Sequence, residues 1–209
     1  MSKKLIEMVC TGNQGRSPVA ELVAQNYLRN IGTHEYAAIS SGTNVDEIKQ
    51  GRLSTDFMVG MIKVAQEREL YTAAELEMLQ YAVQNDDTDK VKVLFAKAER
   101  TFVSEERKYR LEVLPELGIE GTLKENQEQT RVRTETAAVF SMAQNNNKAV
   151  ERIYDGLSSK PLIAVLSAYA FDDLTAQIPN AFGKSKEIYI AAVQAIQIAV
   201  PKAINNLLV

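Results

Sequence analysis

The chain has a single cysteine, Cys10, and a single histidine, His34. One cysteine makes no internal disulfide, so nothing here asks for an oxidising compartment. A structural zinc site built from Cys and His clusters is equally out of reach. Charge of one sign is not in excess: the formal net charge is −3. That gives no electrostatic reason to expect nucleic acid or an acidic membrane as partner. No run approaches the roughly 18 apolar residues of a membrane span. Residues 1–9 lack the long apolar core and small-residue cleavage site of a signal peptide, and read as a first strand. A cytoplasmic protein is expected. There is no internal repeat and no low-complexity tract. What is there is an ordinary globular balance, 45% hydrophobic and 24% charged over 209 residues. That length suits one sizeable domain, or a domain carrying an insertion.

Residues 5–9 form a short apolar run that ends in a Gly- and Asn-containing turn. A helix follows, with Ser17 suited to the N-cap and Pro18 to the first helical position. Val19, Leu22, Val23, Tyr27 and Ile31 give its apolar face, and Gly32 ends it. Residues 36–40 read as a second strand, closed by Ser41, Gly42 and Thr43. If the two strands are parallel, the unit is βαβ with a right-handed crossover. Residues 54–85 are helix-like, with a further helix start at Thr72-Ala73-Ala74-Glu75. Residues 90–95 fit strand or helix nearly equally, and 104–117 is helical in pattern. The polar stretch 118–135 reads as a solvated loop or mobile arm, followed by a helix across 136–154. Residues 161–166 form a compact apolar run expected as a buried strand. The last helix starts near Ser185, and Pro201 is expected to kink or interrupt it. Alternating strands and helices predict an α/β fold, a parallel sheet covered on both faces.

The first turn carries the chemistry. Successive backbone N–H groups curling around a centre, with the N-terminus of a helix behind them, bind phosphate or a similar oxyanion. Gly12 and Gly15 let the backbone curl, and Asn13 tolerates a left-handed conformation. The predicted phosphate-binding residues are therefore Thr11, Gly12, Asn13, Gln14, Gly15, Arg16 and Ser17. Cys10, at the strand end facing this nest, is the candidate nucleophile, since N–H dipoles and positive charge favour the thiolate. The fork of Arg16 can hold two oxygens of a phosphoryl group and stabilise its transition state. Ser17 can donate its hydroxyl proton to the thiolate.

At this point a family resemblance becomes specific. Val9-Cys10-Thr11-Gly12-Asn13-Gln14-Gly15-Arg16-Ser17-Pro18-Val19-Ala20-Glu21 resembles the low-molecular-weight protein tyrosine phosphatase signature V-C-x-G-N-x-C-R-S-P-x-A-E. Residues 39–43 resemble the segment after that family's second strand, and residues 178–185 the segment before its last helix. The likeness covers about the first 45 residues and the last 50 or so. It implies a four-stranded parallel sheet flanked by helices on both faces, over a single domain of residues 1–209. Residues of about 118–158 then read as a helical or loop insertion in the second half. It also implies phosphomonoester hydrolysis through a cysteinyl-phosphate, on phosphotyrosine or another aryl phosphate. No cofactor and no metal are implied, and phosphate or sulfate is the expected occupant of the loop. A phosphorylated protein or small aryl phosphate is the expected partner. By position, Cys10 is the nucleophile and Arg16 the clamp, Asn13 and Ser17 shape the loop, and Ser41 supports Asn13.

Two departures stand out. Gly15 replaces the second cysteine of the pattern, so the nucleophile has no resolving partner. The same count argues against the cysteine-relaying arsenate reductases of this fold. The Asp-Pro that carries the family's proton donor is absent, and Asn180 occupies the aligned position. An asparagine cannot serve as general acid. Asp172 and Asp173 lie upstream, and Asp173 is the candidate substitute. Phe182 falls where the family places an aromatic beside the substrate ring. The alternative is a catalytically weak relative that keeps the anion site and acts through partner binding.

Other residues carry less. Nothing marks His34 for a triad. Asp86, Asp87 and Asp89 lack the spaced ligands of a calcium loop. Glu105, Glu106, Arg107, Lys108 and Arg110 read as a salt-bridged helix face.

Overall fold

The computed structural model describes residues 3–124 and 126–209. Strands β1 (Lys4–Cys10), β2 (Tyr36–Gly42), β3 (Thr136–Ser141) and β4 (Leu162–Val165) form one sheet in the order β2-β1-β3-β4. Every pairing is parallel. The order reverses on either side of β1, so the crevice beyond its carboxyl end is a topological switch point, where open α/β sheets bind ligands. Cys10 is the last residue of β1 and pairs with Gly42.

Side chains along β1 alternate between the two faces. Ile6, Met8 and Cys10 enter the main core, built with α1 (Arg16–Asn30), α7 (Leu166–Phe171) and α8 (Lys186–Leu208). Val9 points the other way, with Val139, onto Val150 and Tyr154 at α6 (Gln144–Ile153) and its end. A second core joins α3 (Thr55–Glu67), α4 (Ala73–Gln84) and the first half of α5 (Thr88–Glu116). Short α2 (Val45–Lys49) precedes these three. Local signals start these helices: Ser54 accepts from Phe57 N at 3.3 Å, and Thr72 with Glu75 makes a capping box. Asp87 caps α5 by accepting from Lys90 N, which is what one of the acidic residues near 87 does.

Several expectations change. Residues 90–95 and 104–117 belong to one helix, because Val91, Leu94, Phe95, Ala98, Phe102 and Val113 make a continuous buried stripe. Residues 136–154 are a strand and then a helix. The short run at 138–141 is buried from both sides of the sheet, which suits a parallel strand. The stretch 118–158 is thus no insertion, since it carries β3, at the centre of the sheet. The long helical excursion lies instead between β2 and β3. Within 118–135, the described residues 126–133 strap the end of β2. Gly42 N donates to Glu128 O at 2.8 Å, and Thr130 N to Gly42 O at 2.9 Å. Pro201 does not break α8, whose Val200, Ala203 and Ile204 stay in the core on either side of it. By length and composition α8 could cross a membrane, but its buried face is the wall of the main core.

Candidate active site

The loop after β1 closes against β2. Thr43 N donates to Cys10 O and Asn44 N to Thr11 O, each at 3.0 Å. The approach is close: a Cβ on Gly42 would lie 2.6 Å from Thr11 O and 2.7 Å from Asn13 N. Asn13 takes the left-handed conformation at φ 50°. Its amide stitches three segments together. Nδ2 donates to Ser17 Oγ at 3.1 Å and Ser40 Oγ at 2.9 Å, and Oδ1 accepts from Glu128 N at 3.0 Å. Ser40, not Ser41, therefore supports Asn13. Ser41 turns its hydroxyl the other way along the strand, to Glu7.

The N-cap of α1 is Gly15, and Arg16 is its first residue. The expected cap, Ser17, sits one position further in because its hydroxyl serves the thiol. Ser17 Oγ lies 3.0 Å from Cys10 Sγ and 3.1 Å from Ser41 O, with one proton to share between them. The first amides of α1 have no helical acceptor, so the helix presents its positive end beside Cys10. Arg16 donates from Nη1 to Ile178 O at 3.2 Å, tying the clamp to the segment before α8. Burial lowers the pKa of Arg16, while Cys10 and Glu106 act to raise it. Two further side chains brace the loop from outside: Asn146 Nδ2 donates to Thr11 Oγ1 at 3.0 Å, and Arg110 Nη2 donates to Gln14 O.

Cys10 opens into a pocket whose polar lining includes Arg16, Glu106, Asn180 and Tyr189. Leu53, Phe57 and Met61 of the helical excursion, with Phe95, form an apolar wall. Phe182 lines the pocket too, and meets Phe102 edge-on with ring centroids 5.7 Å apart. Asn180 is exposed at the rim.

Asp173 is not in this pocket. It is exposed, and its Oδ1 accepts from Thr175 Oγ1 at 2.7 Å and Thr175 N at 2.9 Å. Those bonds hold its pKa below the usual carboxylate range, the wrong direction for a proton donor at neutral pH. On both counts Asp173 lies outside the site, contrary to the expectation from sequence. His34 is exposed on the connection to β2. Among the described residues no group of three His, Cys, Asp or Glu is placed to hold a metal ion.

The sequence reading missed Glu106, Arg110, Tyr189, Asn146 and Ser40. Glu106 had a visible signal. It lies four residues after Phe102 and seven before Val113, on the buried stripe of α5 rather than on a solvated face. The arginine and tyrosine have none, because only the packing of α5 and α8 brings them to the loop.

A family model described as low molecular weight phosphotyrosine protein phosphatase matches residues 5–113, more than half of the chain. The chain belongs to that family. Solved phosphatases of this kind share its fold. A low molecular weight phosphotyrosine phosphatase from Vibrio cholerae O395 matches with a TM-score of 0.58 at 15% identity, over 97% of this chain and 95% of that one. One from Bacillus subtilis, determined in solution, gives 0.56 at 15%, over 97% and 96%. Wzb from Vibrio vulnificus, in complex with benzylphosphonate, gives 0.55 at 17%, over 95% of each chain. A search of curated protein sequences found no match. Family and fold together support a phosphatase-like function for this low-molecular-weight phosphatase relative. The matched segment holds the whole anion loop and most of α5, including Glu106 and Arg110.

Proposed function

We propose that this protein is a cysteine-dependent phosphomonoesterase that hydrolyses phosphotyrosine or another aryl phosphate through a cysteinyl-phosphate. The observation that carries the reading is the 3.0 Å contact from Ser17 Oγ to Cys10 Sγ, at the floor of a nest closed by the N-terminus of α1. A thiol there has a donor that favours its anion and a site for phosphate directly in front of it. Cys10 Sγ attacks phosphorus while the loop amides and Arg16 hold the equatorial oxygens. The leaving oxygen departs opposite sulfur. Water then attacks the phosphocysteine, and Ser17 Oγ–H steadies the departing thiolate. The wall of Leu53, Phe57, Met61 and Phe182 suits an aromatic leaving group. The benzylphosphonate held by the Vibrio vulnificus protein is a phosphonate of that shape. The reaction invokes no metal and no cofactor, and a thiol nucleophile suits the reducing cytoplasm.

A second reading, a weak relative that binds anions and acts through a partner, is favoured by Asn180 at the pocket rim and by Asp173 lying elsewhere. Turnover of p-nitrophenyl phosphate and of a phosphotyrosyl peptide separates the two. The phosphatase reading expects hydrolysis of both, abolished in Cys10→Ser. Equal rates in that variant would exclude it.

A further inference from the structure

We infer that Glu106 of α5 is the proton donor to the leaving oxygen, standing in for the aspartate that this chain lacks at Asn180. The inference rests on the phosphatase reading of the same site and adds a catalytic residue to it.

The packing of α5 brings a carboxyl group into the pocket of the nucleophile. Glu106 is 7% exposed and lines the pocket shared by Cys10 and Arg16. Among the described residues neither of its oxygens has a hydrogen-bond or ion-pair partner, although Arg16 and Arg110 both lie near enough to act on it electrostatically. The side chain is buried while its carboxyl end keeps access to the pocket, so desolvation favours its protonated form or contact with a ligand. Burial moves its pKa upward, with Arg110 and Arg16 opposing. A phosphoryl dianion entering the nest adds like charge and favours the protonated acid further. Burial and the incoming dianion thus both favour the protonated form of Glu106 in the loaded pocket.

The same carboxyl group accounts for Gly15. A Cβ built on Gly15 would collide with Glu106 Oε1 and lie 3.2 Å from its Cδ. A side chain at position 15, such as the cysteine of the family pattern, would push the Glu106 carboxyl group out of this place. The two departures of this sequence, no second cysteine and no Asp-Pro acid, become one substitution of chemistry: α5 delivers a carboxyl group over the loop, and the loop gives up its side chain to admit it. Arg110, one turn along, fixes the approach by its bond to Gln14 O.

The proton balance closes. As the Cys10 S–P bond forms and the P–O bond breaks, the Glu106 proton passes to the leaving oxygen, giving the free phenol. The resulting carboxylate takes a proton from the water that attacks the phosphocysteine. The S–P bond breaks, inorganic phosphate leaves, and Cys10 is again a thiolate facing a protonated Glu106.

The test is the leaving-group dependence of kcat/KM, which reports phosphoryl transfer to Cys10 and not the later hydrolysis common to all substrates, over aryl phosphates from 2,4-dinitrophenyl to phenyl phosphate. In Glu106→Gln the phenyl ester is expected to slow by roughly 10²-fold or more, and the dinitrophenyl ester by less than about tenfold, because only the poor leaving group needs the proton. The alkaline limb of the wild-type pH profile is expected to vanish in that variant. The other groups facing Glu106 that could shape this limb are Cys10, Arg16, Glu99, Arg110 and Tyr189, so Glu99→Gln and Tyr189→Phe are profiled alongside. Vanadate binding by Glu106→Gln reports an intact loop. If that variant does not fold, Gly15→Ala displaces the same carboxyl group and is expected to steepen the dependence likewise. A uniform loss across the series overturns the inference, as does steepening by Glu99→Gln or Tyr189→Phe in place of Glu106→Gln. Those outcomes leave the phosphatase reading standing. Absence of Cys10-dependent turnover in the wild type removes both.

Discussion

At the scale of single residues, the loop is held by side chains that each have one workable geometry. Asn13 combines a left-handed backbone with three hydrogen bonds, to Ser17, Ser40 and the Glu128 amide. Alanine there strains the backbone by about 1–2 kcal/mol and leaves the partners unpaired at about 1–3 kcal/mol. We expect Asn13→Ala to lower the unfolding free energy by about 2–5 kcal/mol on those terms. Phosphate affinity should fall with it. Urea denaturation and phosphate titration check both, and unchanged values would remove Asn13 from the design. Gly42 is constrained from outside, by Thr11 O and Asn13 N. Gly42→Ala must push the loop away from β2, and a loss of about 1–3 kcal/mol is expected. A neutral result by the same denaturation would mean that the loop yields without cost.

At the scale of elements, two segments with no resemblance to the signature do most of the positioning. The first is the strap over residues 126–133. It binds Gly42, meets Asn13, and ends in Arg133, whose Nη1 lies 2.7 Å from Glu7 Oε1. Glu7 is fully buried on β1. Burial raises its pKa, and the Ser41 hydrogen bond and Arg133 partly offset this. Removing the cation leaves a buried charge, so Arg133→Met should cost about 3–5 kcal/mol at neutral pH. The sign with pH follows from linkage. A carboxyl whose folded pKa is raised binds its proton more tightly when folded, so its contribution falls as pH rises from the ordinary carboxylate range through the folded value. Arg133→Met raises that folded value further. Its penalty should therefore shrink as pH is lowered towards 5, and a pH-independent penalty would show that the ion pair is not its source. The second segment is α5. Its first half packs in the α3–α4 core, and Val113 and Leu114 pack in the main core. Between them, Glu106 and Arg110 cross the anion loop. Phe102→Ala, one turn before Glu106, should cost about 3–5 kcal/mol and loosen Phe182 at the pocket as well. Retained stability with unaltered activity would count against the helix as a bridge.

At the scale of the whole molecule, the pocket lies where two cores meet, so an anion in the loop should steady both. Saturating phosphate or vanadate, at about 100 times Kd, should add about 2.7 kcal/mol to the unfolding free energy. The shift should vanish in Arg16→Ala, and a calorimetric Tm series would show it. How much of this was legible in the sequence depends on how local each feature is. The anion loop was readable because Cys10 to Ser17 acts through its own backbone and through the helix it starts. The parallel sheet was readable from the alternation of short apolar runs and helices. Residues 136–154 resemble one helix in sequence, since a short run buried on both faces has no period of its own to mark it as a strand. The strap at 126–133 looked solvated because its polar groups pair with β2, which is distant in sequence. Asp173 stands out in the sequence by its charge, and in the fold that charge is engaged by Thr175. Glu106 was hidden among charged neighbours, and its position on the buried stripe becomes clear once Phe102 and Val113 are seen to face the same way.

The most direct test of the central claim is to trap the covalent enzyme. Acid quench of a reaction with an aryl phosphate, followed by peptide mass analysis, should find one phosphoryl group on Cys10, the chain's single cysteine. It should be absent from Cys10→Ser and, with 2,4-dinitrophenyl phosphate as substrate, more abundant in Glu106→Gln, where formation hardly needs the proton but water attack lacks its base. Phosphate release with no adduct on Cys10, at a rate untouched by Cys10→Ser, would contradict the account.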